Sequence, residues 1–306
     1  MTSKHIILTL LLTLCPIGMA AQSTITRHKP KPAVTKPKPA AKPKAKPKAK
    51  PAPRRNSTRH SNDTSHPGST NSTTGLSAEL NKLINNMVYV SGGTFTMGGT
   101  SEQGSDAEPD EKPTHSVTLS SYYICKYEVT QALWRAVMGS NPSNSIGDNL
   151  PVEQVSWDDC QTFINRLNSY TGRNFRLPTE AEWEFAARGG NYSRHYKYSG
   201  SNYISDVAWY DDNSGSRTHP VGTKQANELG LYDMSGNVYE WCSDWYGSYS
   251  SYSQTDPTGA NSGFGRVDRG GSWGSNAGRC RSSLRDSSSP GGCYGVLGLR
   301  LVLSHL

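Results

Sequence analysis

One cysteine near the end of the chain lies in a setting that favours thiol chemistry. Cys280 is flanked by Arg279 and Arg281, and neighbouring guanidinium groups lower the pKa of a thiol and so favour the reactive thiolate. The alternative interpretation is a structural half-cystine or an inert thiol. The sequence around Cys280 leaves both interpretations open.

A second segment, Asp233–Glu240, carries oxygen-bearing side chains at a spacing that suits a cation. Carboxylates at both ends enclose Gly236 and Asn237, and a curled backbone there would turn side-chain and carbonyl oxygens toward one centre. Calcium takes about six to eight such oxygens. In the alternative interpretation the segment is a capped turn, in which Asp233 accepts backbone N–H groups.

Several familiar catalytic patterns are absent from the sequence. The histidines of the folded part are far apart along the chain, so a zinc or iron site built from several histidines is not expected. The chain has no G-x-S-x-G turn, no phosphate-binding glycine loop and no dinucleotide-binding glycine pattern. The candidate chemistry is therefore confined to the two segments above.

The net charge of +7 is the sum of a basic tail and an acidic domain. Residues 1–60 hold 14 Lys and Arg and no acidic residue, whereas the remainder holds 18 basic and 25 acidic residues, a net charge of −7. The high isoelectric point thus belongs to the tail. It gives no reason to expect that the folded part binds nucleic acid.

The first residues have the pattern of a bacterial secretory signal. Residues 1–21 combine Lys4, an apolar run and a small-residue cleavage region, which predicts export to the periplasm or cell envelope. Cys15 raises lipidation as an alternative, but the preceding Leu14 is larger than lipoprotein signals normally have there. No apolar run reaches the roughly 20 residues of a membrane-spanning helix, so the protein is not expected to span a membrane.

A Lys/Pro-rich linker is predicted over residues 22–75. Residues 27–60 hold thirteen Lys and Arg and eight Pro, and repeated Pro with mutually repelling charges favours an extended, disordered chain. The segment is either a solvated spacer or a polycation that binds an anionic envelope component, such as polysaccharide or lipid headgroups. Ordered structure is expected to begin near Leu76.

Hydrophobic spacing and turn residues outline an α+β domain over residues 76–306. We expect a helix over 76–86, a hairpin over 87–99 split at Gly92-Gly93, and two strands within 115–130. Helices are predicted after three N-cap residues and end in two cases at glycines, whereas the chain after residue 190 has short strands and long loops. These N-caps are Thr130, Ser156 and Thr179.

Five cysteines remain after signal cleavage, and their number does not fix a pairing. An odd count leaves at least one thiol unpaired in a monomer, and fifteen arrangements of two disulfides are possible. The five residues are Cys125, Cys160, Cys242, Cys280 and Cys293.

Eight motifs in a fixed order make the chain resemble the formylglycine-generating enzyme family, also called the sulfatase-modifying-factor family. They are MVYVSGGTFTMG (87–98), YYICKYEVT (122–130), LPVEQVSW (150–157), FRLPTEAEWEFAARGG (175–190), GLYDMSGNVYEWCSDWY (230–246), RVDRGGSW (266–273), CRSSLRD (280–286) and GLRLV (298–302). The resemblance implies a single, loop-rich domain of C-type-lectin-like character with little regular secondary structure.

The resemblance also implies where an oxidase site would lie. In the oxidase branch of the family, two cysteines five residues apart bind copper, and oxygen is used to convert a sulfatase cysteine into formylglycine. Here the second position is Cys280, but the first is Ser275, whose neutral hydroxyl is a hard and weak ligand for Cu(I). The candidate catalytic residues are Cys280, Ser275 at the position of the missing cysteine, and Ser272 of the preceding Gly-Gly-Ser-aromatic motif.

The calcium interpretation gains support from the resemblance. The family binds calcium through positions that are here Asp233, Gly236, Val238 and Glu240, and a second family site would fall near residues 206–212. The related iron-dependent sulfoxide synthases use a histidine-rich motif and an added domain, and this sequence has neither.

Three functions stay open on the sequence. The preferred one is an exported, non-oxidase domain that binds a protein or glycan at the cell envelope; the alternatives are the copper- and oxygen-dependent oxidase and a structural component of a gliding or secretion assembly. Tyr239 and Trp273 are the candidate substrate contacts. The wider set of candidate exposed aromatics also contains Trp241, Trp245 and Tyr294.

Overall fold

A computed structural model describes residues 70–305. The predicted signal peptide and all but the last six residues of the predicted linker lie outside this range. Within residues 70–305, no helix is both long and apolar enough to cross a membrane. The first helix begins at Thr70, six residues before the start of ordered structure that the sequence indicated.

Within residues 70–305, five α-helices, four short 3-10 helices and eleven short strands alternate with long loops. The helices are α1 (Thr70–Asn85), α2 (Gln131–Met138), α3 (Trp157–Thr171), α4 (Glu180–Ala187) and α5 (Ile204–Val207). The strands are β1 (Met87–Val90), β2 (Gly93–Met97), β3 (His115–Leu119), β4 (Tyr122–Cys125), β5 (Phe175–Arg176), β6 (Tyr239–Trp245), β7 (Gln254–Thr255), β8 (Arg266–Arg269), β9 (Arg285–Ser288), β10 (Leu297–Gly298) and β11 (Val302–Leu303).

The strands form three small sheets, with the orders β1-β4-β11-β5, β10-β6-β8-β9 and β2-β3-β7. The second sheet is built from strands in the later half of the chain, where the sequence predicted short strands between long loops. Its central strands, β6 and β8, run antiparallel, and the loop between β8 and β9 carries the candidate catalytic residues. This sheet is therefore the base of the candidate site.

The predicted hairpin over residues 87–99 is wrong. β1 pairs with β4 and β2 pairs with β3, so the two strands belong to different sheets. A tight hairpin turn needs positive φ at its central glycine, and neither Gly92 nor Gly93 has one. A Cβ on Gly92 would approach Leu119 O to 2.4 Å, so this glycine instead permits a close crossing of the chain.

The helix N-caps agree with the sequence. Thr130, Ser156 and Thr179 each accept a hydrogen bond from a backbone N–H three residues later, which satisfies one of the free donors of the first turn. The capping box at Ser156 is complete although Asp159 replaces the usual glutamate. Helix α2 ends at Gly139, as the sequence predicted, and helix α3 ends at Gly172, both in the left-handed conformation. Helix α4, which was predicted to stop at Gly189-Gly190, has Arg188 as its C-cap, directly before the left-handed Gly189.

Helix α4 is buried along its whole length, including three glutamates. Glu182 pairs with Arg176, just before the helix, whereas Glu180 and Glu184 are held by arginines from much later in the chain. Arg285 Nη2 is 2.7 Å from Glu180 Oε2, and Arg269 Nη2 contacts Glu184. Since these arginines lie on β9 and β8, the pairs attach the second sheet to the helix.

Helix α1 packs against the main apolar cluster through Leu83, which is 3% exposed. Replacing a buried leucine by alanine costs about 2–5 kcal/mol, so Leu83→Ala should loosen this helix. Arg59 is the last basic residue before Lys82, which is exposed on the helix. We expect limited trypsin digestion to leave a native core that starts at His60, and to cut after Lys82 faster in Leu83→Ala.

Mass spectrometry of the fragments over time measures both rates. Ser77→Ala, an exposed change on the same helix, is the matched control and should behave as the native chain. Equal cleavage after Lys82 in the native protein and Leu83→Ala would contradict the docking of this helix.

Candidate functional site

The position of the missing cysteine is occupied by a buried and fully bonded hydroxyl. Ser275 Oγ accepts a hydrogen bond from Ser272 N at 3.0 Å and lies 3.1 Å from Ser272 Oγ. It also donates to the Tyr239 hydroxyl oxygen at 3.4 Å. Three of the sequence-predicted site residues are thus joined in one hydrogen-bonded cluster that contains no sulfur.

Cys280 is buried, and its thiol is not activated by its arginine neighbours. Burial raises the pKa of Cys280 to about 12, with a smaller contribution from Asp211. Arg279 Nη1 pairs with Asp286 at 2.7 Å, and Arg281 Nη2 pairs with Glu111 at 2.6 Å. Of the two interpretations that the sequence left open, the inert thiol is therefore favoured, because Cys280 is buried away from water and both neighbouring guanidinium groups are paired with carboxylates.

The backbone before Ser272 is shaped to fit around this thiol. Gly271 has a φ of +74°, and a Cβ at this position would lie 2.7 Å from Cys280 Sγ. Only glycine can adopt this conformation and leave room for the sulfur. The Gly-Gly-Ser-aromatic motif thus serves close packing around Cys280.

All five cysteines within residues 70–305 are free thiols. None of the fifteen pairings that the sequence allowed is present. Cys242 lies in a different core cluster from Cys280, and burial raises its pKa well above the usual value. Cys293 is exposed. A copper site needs two thiolates near each other, and the residues at the Ser275 and Cys280 positions do not fit one.

The Asp233–Glu240 loop has the curled backbone that the sequence indicated. Asp233, Gly236 and Asn237 all have positive φ. A Cβ on Gly236 would approach Trp209 O to 2.3 Å, so this position requires glycine. Asp233 Oδ2 accepts a hydrogen bond from Gly222 N at 2.7 Å, while its buried Oδ1 has no partner.

Glu240 has a different role from the one expected for a calcium ligand. Its Oε1 lies 2.6 Å from Arg300 Nη2, and both groups are fully buried. Its Oε2 accepts from Trp183 Nε1 at 2.7 Å. Both carboxylate oxygens of Glu240 are thus already satisfied by protein donors.

Glu128 is a site residue that the sequence analysis missed. Its Oε1 accepts from Val238 N at 3.1 Å and its Oε2 from Asn237 Nδ2 at 2.6 Å, so it binds the centre of the loop. Burial, Asp233 and Glu240 raise the pKa of Glu128 well above its usual value. Glu128 lies in the YEVT motif, about 105 residues before the loop.

The buried carboxylates around this loop outnumber the positively charged groups that face them. Burial raises the pKa of Asp233 to about 6, with a smaller opposing effect from Arg300. Glu128, Asp233 and Glu240 face a single guanidinium, that of Arg300. The unpartnered Asp233 oxygen and the surplus negative charge fit a hard cation held by Asp233 and by the carbonyl oxygens of Gly236 and Val238.

The second family calcium position has no comparable support. Asp206 Oδ2 accepts from Ser201 Oγ at 2.9 Å, and Asp211 and Asp212 are exposed. Across residues 70–305, no group of three or more His, Cys, Asp or Glu side chains is arranged to hold a metal. Any calcium at the Asp233 loop therefore depends on backbone oxygens.

The aromatic candidates divide between core and surface. Trp241 is 0% exposed and Tyr239 is 8% exposed, so their assignment as exposed aromatics is wrong: both pack in the main apolar cluster. Trp273 is half-buried, with Nε1 donating to Gly295 O at 2.9 Å. Tyr294 is exposed and lines a small pocket together with Tyr239.

The family model described as the sulfatase-modifying factor enzyme 1-like domain matches residues 73–305. The chain belongs to this family, which confirms the resemblance seen in the sequence and the α+β single-domain prediction.

Relatives in the family have different names. The chain is 35% identical over 270 residues to the chaperone protein LppX of Paenibacillus barcinonensis, covering 72% of this chain and 90% of that one. It is 34% identical over 212 residues to the formylglycine-generating enzyme of Streptomyces coelicolor, covering 63% and 64%. The structure resembles Treponema denticola variable protein 1, with a TM-score of 0.65, 35% identity and coverage of 72% and 95%.

The buried Glu240–Arg300 pair should be essential to the stability of the site. Glu240→Gln leaves Arg300 as an unpaired buried charge, which costs about 3–5 kcal/mol. Adding Arg300→Met removes that charge and should recover a large part of the loss. Urea unfolding in the presence of a calcium chelator gives these free energies without a contribution from metal.

Asp148→Asn is the control for losing an ion pair. Asp148 pairs with Arg135 at 2.7 Å, but both side chains are exposed, so the loss should be below about 1 kcal/mol. A Glu240→Gln variant as stable as this control would show that the buried pair contributes little.

Proposed function

We propose that this chain is an exported, non-oxidase binding domain of the sulfatase-modifying-factor family that acts at the cell envelope. The observation that carries the proposal is Ser275. Its hydroxyl occupies the position of a copper-ligand cysteine and is held by Ser272 and Tyr239. Copper would have to compete with this network for a hard, neutral oxygen.

The state of Cys280 supports the same conclusion. A thiol with a pKa near 12 is protonated at neutral pH, and the thiolate is the form that binds metals and attacks substrates. A single buried thiol beside a serine hydroxyl lacks the two soft ligands of the oxidase branch. The site is better suited to packing than to redox chemistry.

A binding role agrees with the relative that is named a chaperone protein. The domain carries long loops on small sheets, and loops of this kind commonly supply binding specificity. The ligand class we propose is a protein or glycan contacted by Trp273 and Tyr239, with the more exposed Tyr294 beside them. The basic residues 27–60 would bind an anionic envelope component by charge.

The alternative function is the formylglycine-generating oxidase. The identity to the Streptomyces coelicolor enzyme favours it. In that case Cys280 would need a second sulfur ligand for copper. Within residues 70–305, Cys242 lies in a different core cluster and does not supply it.

The Cu(I) affinity separates the two functions. We expect native protein to lose Cu(I) to a two-thiol competitor, and Ser275→Cys to gain affinity by at least about tenfold because two sulfurs then stand at the family spacing. A Cu(I) competition titration measures this, beside mass spectrometry of a Cys-x-Pro-x-Arg peptide incubated with protein, copper and oxygen. No formylglycine should form with native protein.

Cys280→Ser and Ser275→Ala are the matched variants. Ser275→Ala removes the hydroxyl without adding sulfur, so it separates the loss of the hydrogen bonds from the gain of a ligand. Tight Cu(I) binding and formylglycine formation by native protein, both lost in Cys280→Ser, would establish the oxidase and overturn the proposed function.

We also propose that the Asp233 loop binds calcium. Asp233 and the carbonyl oxygens of Gly236 and Val238 would hold the ion, and its charge would offset the surplus of carboxylates there. Glu240 is retained from the sequence analysis only as a nearby negative charge, because Arg300 and Trp183 occupy its oxygens.

Calcium should stabilise native protein, and Asp233→Asn should remove most of that effect. The amide can still accept from Gly222 N but lacks the charge of the unpartnered oxygen. A ligand present at about 100 times its Kd stabilises the folded state by about 2.7 kcal/mol, which is a shift of several degrees in Tm. Thermal scans with calcium and with a chelator provide the measurement.

Asp256→Asn is the control. Asp256 accepts a hydrogen bond from Ser120 Oγ and is not a proposed calcium ligand, so this substitution should leave the calcium shift unchanged. An equal calcium shift in native protein and Asp233→Asn would place the ion elsewhere.

A further inference from the structure

A small pocket beside the serine cluster has a carboxylate in its wall that lacks a hydrogen-bond partner. The pocket has a volume of about 170 Å³, and its lining includes Asp268, Asp286 and the side chains of Tyr239, Tyr294 and Leu297. Asp268 is 3% exposed, and its Oδ2 has no hydrogen-bond partner. An isolated buried carboxylate oxygen costs several kcal/mol unless a partner is supplied.

The second carboxylate lies directly across the strand pair. Asp268 on β8 and Asp286 on β9 are partners in the antiparallel register, and like charges in this arrangement repel. Arg279 Nη1 pairs with Asp286 at 2.7 Å on the exposed side. Arg269, next to Asp268, is committed to Glu184 on α4, so Asp268 lacks a close cationic partner of its own.

The remaining walls suit an alkyl stem that ends in a positive charge. Tyr239 and Tyr294 present aromatic rings, which attract ammonium groups, and Val296 and Leu297 are apolar. The volume equals that of about five or six water molecules, enough for the five heavy atoms of a butylammonium group. A hard metal ion would need about six oxygen ligands, and two carboxylates do not supply them.

We propose that this pocket binds a primary ammonium group on an alkyl stem, with Asp268 as its counter-ion, so that the ligand of the domain presents a lysine side chain or an equivalent amine. The inference rests on the proposed binding function and specifies one chemical feature of its ligand. It assigns Asp268 the role of a specificity-determining residue, with the rings of Tyr239 and Tyr294 as walls.

The pH dependence of binding follows from the groups around Asp268. Burial and Asp286 raise the pKa of Asp268 to about 7, against the smaller effects of Ser288, Arg279 and Arg269. An alkylammonium stays charged between pH 6 and pH 8. Affinity should therefore rise about tenfold across this interval as Asp268 ionises.

The test compares two ligands with the same stem. Native protein is titrated with Nα-acetyl-lysine methylamide and with Nα-acetyl-norleucine methylamide, which lacks only the amine, by NMR at pH 6 and pH 8. At pH 8 we expect the lysine probe to bind at least tenfold tighter than the norleucine probe. The same titration with n-butylamine separates a peptide lysine from a free amine as the source of the ammonium group.

Asp268→Asn keeps the shape of the side chain and removes its charge, so it should fold at least as stably as native protein. It should lose both the preference for lysine over norleucine and the rise of affinity with pH. Asp148→Asn, an exposed aspartate paired with Arg135, is the matched control and should keep both.

Three results would overturn the inference: equal affinity of native protein for the two probes, no binding of either amine, or an unchanged preference in Asp268→Asn. The titration uses neither copper nor oxygen. Formylglycine formation in the copper experiment would contradict the proposed non-oxidase function but would not contradict ammonium binding in this pocket. Conversely, absence of ammonium binding would not contradict the non-oxidase proposal.

Discussion

Buried arginine–carboxylate pairs hold this loop-rich domain together. Arg269, Arg281 and Arg300 are completely buried, and each binds a glutamate more than fifty residues earlier in the chain. A charged group of this kind is expensive to bury without its partner, so each pair tolerates few alternative positions of the two segments. The long loops of the second half are thereby fixed where regular secondary structure is sparse.

The same pairs determine the character of the candidate site. Arg281 pairs with Glu111 and Arg279 with Asp286, so Cys280 has no free cation beside it, and burial keeps its thiol protonated. Glu240 is drawn to Arg300, which leaves Asp233 as the carboxylate with an open oxygen. The paired arginines and glutamates therefore stabilise the fold and do not activate Cys280 or ligate a metal. Ligand binding depends on the carboxylate oxygens that have no protein partner.

Ser275 and Asp268 are both close to Tyr239. Ser275 joins Tyr239 through its hydroxyl, and Asp268 shares a pocket with the same ring. The serine cluster is thus adjacent to a carboxylate-lined pocket through the side chain of one tyrosine. Both proposals, the non-oxidase binding domain and the ammonium pocket, therefore concern one continuous part of the domain.

The sequence by itself determined the family, the α+β class and the local signals: N-caps, helix-ending glycines, the Ser275 substitution and the curled loop at Gly236 all depend on residues close together in the chain. Tertiary structure decided the rest. The predicted hairpin at Gly92-Gly93 is wrong because β1 and β2 pair with different strands. The state of Cys280 depended on its burial, and the pairing of Arg281 depended on Glu111, 170 residues away. The motifs that the sequence analysis recognised contain Glu128, Trp183 and Arg300, but only the fold brings these side chains to one loop. Burial and the pairing of distant charges depend on tertiary contacts, which the spacing of residues along the chain does not specify.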